Sequence, residues 1–182
     1  LDKAREISSE FKKRAHEREA LIALEKYGMS TAECLRVFKV FGTKSVETVE
    51  KNPYMLCNER IGINFEKACD IANRLPSAPP DEFRISAGII YVVRHNLANG
   101  HTCLPRNKFV PVACNLLDCK ESVVEICCDK LIDTFQLCSE IIDSVEFLSI
   151  PSYYNAEQHI AARLFSVKRF INTAVTVDEL EI

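Results

Sequence analysis

Tryptophan is absent from this chain of 182 residues, glycine occurs only five times and methionine twice. So little glycine excludes collagenous and low-complexity repeats, and 47% hydrophobic with 27% charged residues excludes a disordered chain. Long apolar runs are missing too. The longest, Ala87-Gly88-Ile89-Ile90-Tyr91-Val92-Val93, is far short of the roughly 18 residues of a membrane helix. Nothing before Phe11 has the apolar core of a signal peptide. The expectation is a soluble, cytoplasmic protein with no membrane contact. Nor does one sign of charge dominate: residues 1–80 hold 14 Lys/Arg against 12 Asp/Glu, residues 81–182 hold 9 against 14, and the net is −3. Bulk charge therefore cannot hold nucleic acid, and any such contact must be local.

Cysteine is plentiful, at nine, yet no Cys-x-x-Cys pair occurs, and Cys114 with Cys119 lacks a second pair at zinc-like spacing. In a reducing compartment these side chains act as small buried hydrophobes, and no metal site is expected. His101-Thr102-Cys103 places a base near a thiol, but no third group orients them, so a turn with a packed cysteine is the reading. No catalytic residue emerges. The chain starts at Leu1 and ends in Val177-Asp178-Glu179-Leu180-Glu181-Ile182, and is expected to be a piece of a longer protein.

Helical periodicity organises the first half. Ile7, Phe11, Ala15, Leu21, Ile22 and Leu24 recur every three to four residues, predicting a helix to Lys26 that stops at Tyr27-Gly28. Ser30 with Glu33 forms a capping box for a second helix, striped by Ala32, Leu35, Phe38 and Phe41 and ended by Gly42. A short helix fits Lys44–Lys51, and Asn52 before Pro53 breaks it. Then Tyr54-Met55-Leu56, the turn Arg60-Ile61-Gly62-Ile63-Asn64 and a helical period over Phe65–Leu75 make a second hairpin. Pro76, Pro79 and Pro80 mark a boundary.

The hairpin turns carry the chemistry. A turn entering a helix through glycine leaves the first helical N–H groups unpaired and lets a phosphate approach the main chain. Such a turn grips a sugar-phosphate backbone without reading bases. Tyr27-Gly28-Met29-Ser30 and Ile61-Gly62-Ile63-Asn64 both have this form, with Arg60 just before the second turn and Lys67 one turn into its helix. The candidate DNA-binding residues are Gly28, Met29, Ser30, Arg60, Gly62, Ile63, Asn64 and Lys67.

Five blocks, in order and spacing, carry a resemblance: Leu24-Glu25-Lys26-Tyr27-Gly28-Met29-Ser30, Asn52-Pro53-Tyr54-Met55-Leu56, Ile61–Ala72, Arg84-Ile85-Ser86-Ala87-Gly88-Ile89, and Gly100-His101-Thr102-Cys103-Leu104-Pro105. From about Ala20 to Ala162 the chain resembles the amino-terminal region of the RecD/TraA family of ATP-dependent DNA helicases, in the long form similar to exodeoxyribonuclease V alpha subunits. The resemblance implies a tandem helix-hairpin-helix unit in a 5′-to-3′ helicase of DNA repair and recombination, with ATP and magnesium held by motor domains elsewhere in the protein. Asn64 departs from the pattern, since the family usually has glycine there. Asparagine tolerates a left-handed backbone and also caps helices well.

Asp81 can cap a helix to about Asn99, with Ile85, Ile89, Val92, Val93 and Leu97 inward and Arg84, Arg94 and His95 toward solvent. After Gly100, an extended His101–Leu104 leads to Pro105 as first residue of a helix toward Leu117, and Asp118 with Glu121 suggests a capping box for a helix over Val123–Phe135. Gln136–Ile142 and Val145–Ile150 read as strands about an Asp143-Ser144 turn, closed by Pro151. Asn155 and Gln158 then start a last helix with Ile160, Ala161, Leu164 and Phe165 on one face. The fold class expected is mainly α: a tandem helix-hairpin-helix domain at 1–78, a winged-helix-like helical domain with a β-hairpin at 79–152, and a helix at 153–182 leading to motor domains. The third helix of the winged unit carries Glu121, Glu125 and Asp129 against Lys120 and Lys130, which repels phosphate and suits packing or protein contact.

No Gly-x-x-x-x-Gly-Lys-Ser/Thr run occurs, so this segment is expected to bind no nucleotide and to catalyse nothing by itself. Two roles remain: a module that grips the DNA backbone non-specifically, or a scaffold that docks the motor domains of the same chain or a repair partner.

Overall fold

A computed structural model describes residues 2–97 and 99–178, and the side chains of residues 14–96 and 99–168. Ile7, Phe11 and Leu97, placed on inward stripes by the sequence, lie outside the described side chains, as does the stretch 179–182. The chain is mainly α with one small antiparallel sheet, and it divides into two compact units, Leu1–Gly88 and Ile89–Ile182. The division falls inside a helix. The proline stretch ends one helix, but the next begins directly at Asp81 and runs unbroken through residue 88.

The first unit holds α1 (Asp2–Glu25), α2 (Thr31–Phe41), α3 (Ser45–Lys51), a 3-10 turn at Pro53–Cys57, α4 (Phe65–Ala72) and the start of α5 (Asp81–Leu97). One cluster forms much of its core. Leu24, Met29, Cys34, Val37, Val49, Leu56, Ile61, Ile63 and Ile71 are at most 4% exposed and meet between the hairpins. At about 25 cal/mol per Å² of apolar surface, burying each such side chain contributes roughly 1.5–3 kcal/mol. Burial drives the Cys34 thiol up to about 11, with Glu25 and Glu33 adding to it, so this cysteine is a packing residue.

The second unit continues α5, adds β1 (Cys103–Pro105), α6 (Arg106–Leu117), α7 (Glu121–Asp133), β2 (Cys138–Ile142) and β3 (Val145–Ser149), and ends in α8 (Pro151–Asp178). The sheet order is β1-β3-β2, with Cys103 opposite Ser149 on one side of β3 and Ile142 opposite Val145 on the other. This is a winged-helix-like order, with β1 as a third strand beyond the expected hairpin. Asp143 and Ser144 both have positive φ, 49° and 64°, which suits a tight turn between twisted strands.

Three local expectations change. Pro105 ends β1 and N-caps α6 instead of opening the helix, because its backbone is extended at ψ 126°. Asp118 makes no capping box with Glu121. It is the left-handed residue that ends α6, at φ 48°, and Lys120 stands at the start of α7 with no side-chain cap. Pro151 opens α8, so the last helix starts before Asn155; proline lacks the N–H that would be unpaired in a first turn anyway. No described helix is long and apolar enough to cross a membrane.

Candidate nucleic-acid interface

The first turn is built by two helix ends. The Gly28 N–H donates to the Glu25 carbonyl (2.9 Å) and closes α1, and a φ of +87° explains the glycine. Met29 folds inward, 4% exposed, and anchors the turn to the core. Ser30 then caps α2 reciprocally. Its hydroxyl accepts from the Glu33 N–H, while the Glu33 carboxylate accepts from the Ser30 N–H at 2.7 Å. A cap of this kind is worth about 1 kcal/mol. By helix geometry the amides of Thr31 and Ala32 have no acceptor one turn back.

The second turn differs from the expectation of bare amides. Asn58 organises it: its side-chain oxygen accepts from the N–H groups of Arg60 and Ile61, both at 3.0 Å, and its carbonyl accepts from Gly62 at 2.8 Å. Ile63 donates to the Leu56 carbonyl at 3.2 Å. These four amides are therefore engaged inside the protein, three of them by Asn58 and the fourth by Leu56. What this hairpin presents outward is the Gly62 backbone itself. Gly62 is exposed at φ +68°, and a Cβ there would meet nothing within 4 Å. Ile61 and Ile63 on either side are buried, 1% and 4% exposed, and the Ile61 carbonyl accepts from Nε of Arg36 on α2 at 2.7 Å. That bond braces the second hairpin against the first.

Asn64 adopts φ −72° and ψ 162°, an extended backbone, and its side-chain oxygen accepts from the Lys67 N–H at 3.0 Å. Of the two uses asparagine has at this position, the structure takes the helix cap, and glycine's conformational freedom is not required. Lys67 points across to the first hairpin. Its ammonium lies 2.7 Å from both carboxylate oxygens of Glu33. Burial pushes the Glu33 carboxyl up, but the bonds from Lys67 and from the Ser30 N–H and hydroxyl outweigh it and hold the group at about 2. Arg60 is exposed beside Gly62.

Tyr27 and Gly28 of the first turn face Asn64, Lys67, Asp70 and Arg74 of the second hairpin across one cleft of about 310 Å³. Three expected residues, Gly28, Asn64 and Lys67, thus share a site. Arg60 and Gly62 are not part of its lining, and Met29 and Ile63 belong to the core. The Tyr27 hydroxyl donates to the Glu50 carboxylate, which raises its pKa to about 12 and keeps it a donor. Arg74 had no sequence signal, because it reaches the first turn only through the fold. Asn58 had one, an Asx residue two positions before Arg60.

His101 is exposed and its N–H donates to the Asn96 carbonyl at 3.2 Å, ending α5. In the second unit Arg106 draws together Glu125 (2.6 Å), Asp129 (2.7 Å) and Glu146 (3.3 Å). The acidic face of α7 is thus engaged with an internal cation. Two helix-hairpin-helix turns meeting at one cleft agree with comparison to known proteins, in which residues 13–103, half of the chain, match the model described as the ATP-dependent RecD2 DNA helicase HHH domain. The match takes in both hairpins and ends at Cys103, and the chain belongs to the family of RecD2 DNA helicase HHH domains.

Proposed function

We propose that this chain is a non-catalytic DNA-binding module of an ATP-dependent 5′-to-3′ helicase, gripping the sugar-phosphate backbone without reading bases. The observation that supports it is the convergence of the two hairpins: a glycine turn, a capped helix start and two cationic side chains line one cleft, and a second glycine, Gly62, stands open beside Arg60. Backbone groups and lysine or arginine side chains suit phosphate and carry no sequence information. ATP and magnesium belong to motor domains of the whole protein. The residues here do not fit them, since no phosphate-loop sequence occurs between Leu1 and Ile182.

Fluorescence-anisotropy titration with duplex, single-stranded and forked DNA at several salt concentrations tests this. Two hairpins touching two to four phosphates give a log–log salt slope of about −2 to −4 on duplex. Affinity should be the same for all base sequences. A chain that ignores every DNA at low salt rules the reading out.

A second reading concerns the other unit. Along α8, Ile160, Leu164, Phe165 and Val167 are 54–73% exposed, more apolar surface than one helix needs to show. That favours a protein-contact role for this unit, with the motor domains of the same chain or a repair protein as partner. Association with separately expressed motor domains, lost on Leu164→Glu, is its test.

A further inference from the structure

Arg74 stands just past the end of α4, where its N–H donates to the Ile71 carbonyl at 2.9 Å and the chain turns back. From there its side chain reaches the first hairpin and lies against Gly28. A methyl group built on Gly28 would run into Nη1 of Arg74 and come within 2.8 Å of Cζ. The positive φ of the turn requires the glycine, and the guanidinium, the far end of a flexible side chain, rests in the space beside it. Both residues line the cleft that Lys67 and Asn64 also line.

The two cations of the cleft are in different states. Lys67 is committed to Glu33, which sits only 14% exposed and gains little by releasing it. Arg74 is exposed and makes no ion pair among the described residues, although Asp70 lines the same cleft. A guanidinium offers five N–H donors in a planar fork that fits two phosphate oxygens at once. We propose that Arg74 is the phosphate-gripping side chain of the first hairpin: resting over Gly28, where it takes the place of direct main-chain contact, it receives the phosphodiester at this turn. Lys67 is the positioning residue that keeps the two hairpins in register.

The inference rests on the DNA-binding reading above, and the experiment separates the two. Salt-dependent anisotropy on duplex DNA of two unrelated sequences compares the chain with Arg74→Ala, Arg74→Lys, Gly28→Ala and the double variant. The expected result is a loss of about tenfold for Arg74→Ala on both sequences, with the salt slope smaller in magnitude by about 1 and an unchanged melting temperature. Arg74→Lys restores the slope but not the full affinity, because a point charge replaces a fork. Gly28→Ala weakens binding more in the parent than in the Arg74→Ala background, where the clash is gone. If the parent binds and Arg74→Ala keeps its affinity and slope, the assignment of Arg74 is overturned while the module reading stands. If the parent binds no DNA at low salt, both fall.

Discussion

Nζ of Lys67 lies 2.7 Å from each carboxylate oxygen of Glu33, and that one contact ties the helix of the second hairpin to the cap of the first. The same carboxylate accepts from the Ser30 main chain. One side chain therefore closes a helix start and joins two motifs that are 34 residues apart in sequence. Residues expected to hold phosphate separately are coupled, so a substitution in one hairpin acts on the other.

Acid should expose that coupling. The folded Glu33 carboxyl titrates at about 2, against 4.5 when unperturbed. A depressed acid contributes stability above its unfolded pKa and loses it as pH falls toward the folded value. Urea unfolding between pH 6 and pH 2.5 should show this loss in the parent and a flatter acid limb in Glu33→Gln. Lys67 is partly exposed, so the difference at neutral pH is about 1–2 kcal/mol. Equal acid limbs in parent and variant would mean the pair contributes nothing.

Gly62 provides a cleaner backbone test than Gly28. Its surroundings are empty, so Gly62→Ala adds no clash and costs only the left-handed φ of 68°, about 1–2 kcal/mol. Gly62→Asn, which tolerates that region, should cost clearly less. Thermal melts of the two variants give this order. DNA affinity should fall for both, since any Cβ stands where a backbone would approach.

In the second unit the substitution to make is Arg106→Met. It leaves Glu125, Asp129 and Glu146 facing one another without their shared cation. Because Arg106 is only 14% exposed while Asp129 is 63% exposed, the expected loss is about 2 kcal/mol rather than the full cost of a buried pair. Raising the salt concentration should shrink the gap, as screening weakens both the ion pairs of the parent and the repulsion in the variant. A gap that stays constant with salt would show that lost packing, not charge, is responsible.

The legible parts of this fold are the ones written locally. Ser30 and Glu33 sit three apart, and the capping box they announce is present. The helical period of α4 buries Ile71, but the stripe expected on α2 is displaced: Ala32 and Leu35 are exposed and Phe38 and Phe41 half-buried, while Cys34 and Val37 take the core face. Local signals misled where two devices share one sequence pattern: Asp118 and Glu121 read as a cap, but the left-handed end of α6 claimed Asp118 first. The glycine turns were visible, while the state of their amides was not, since Asn58 and the Leu56 carbonyl consume those of the second turn from outside the motif. Long-range partners such as Arg36 with Ile61, or Arg74 with Gly28, leave no trace in spacing because only packing of the two hairpins brings them together.

Phe135 is the residue whose replacement should stabilise the chain. It follows α7 at φ 55° and is 85% exposed. The Gln136 N–H donates to the Leu131 carbonyl at 2.8 Å across it, the helix-ending arrangement in which glycine usually occupies the left-handed position. A phenylalanine there bears the cost of a left-handed backbone, about 1–2 kcal/mol, and recovers little by burial. Phe135→Gly removes the strain but enlarges the conformational freedom of the unfolded chain, offsetting about 0.4–1 kcal/mol. The net gain is about 0.5–1 kcal/mol, read as a higher urea midpoint. Phe135→Ala keeps the strained backbone and loses only an exposed ring, so its midpoint should stay near that of the parent. A midpoint lowered by glycine and alanine alike would show that the ring itself, and not the backbone, sets the stability of this turn.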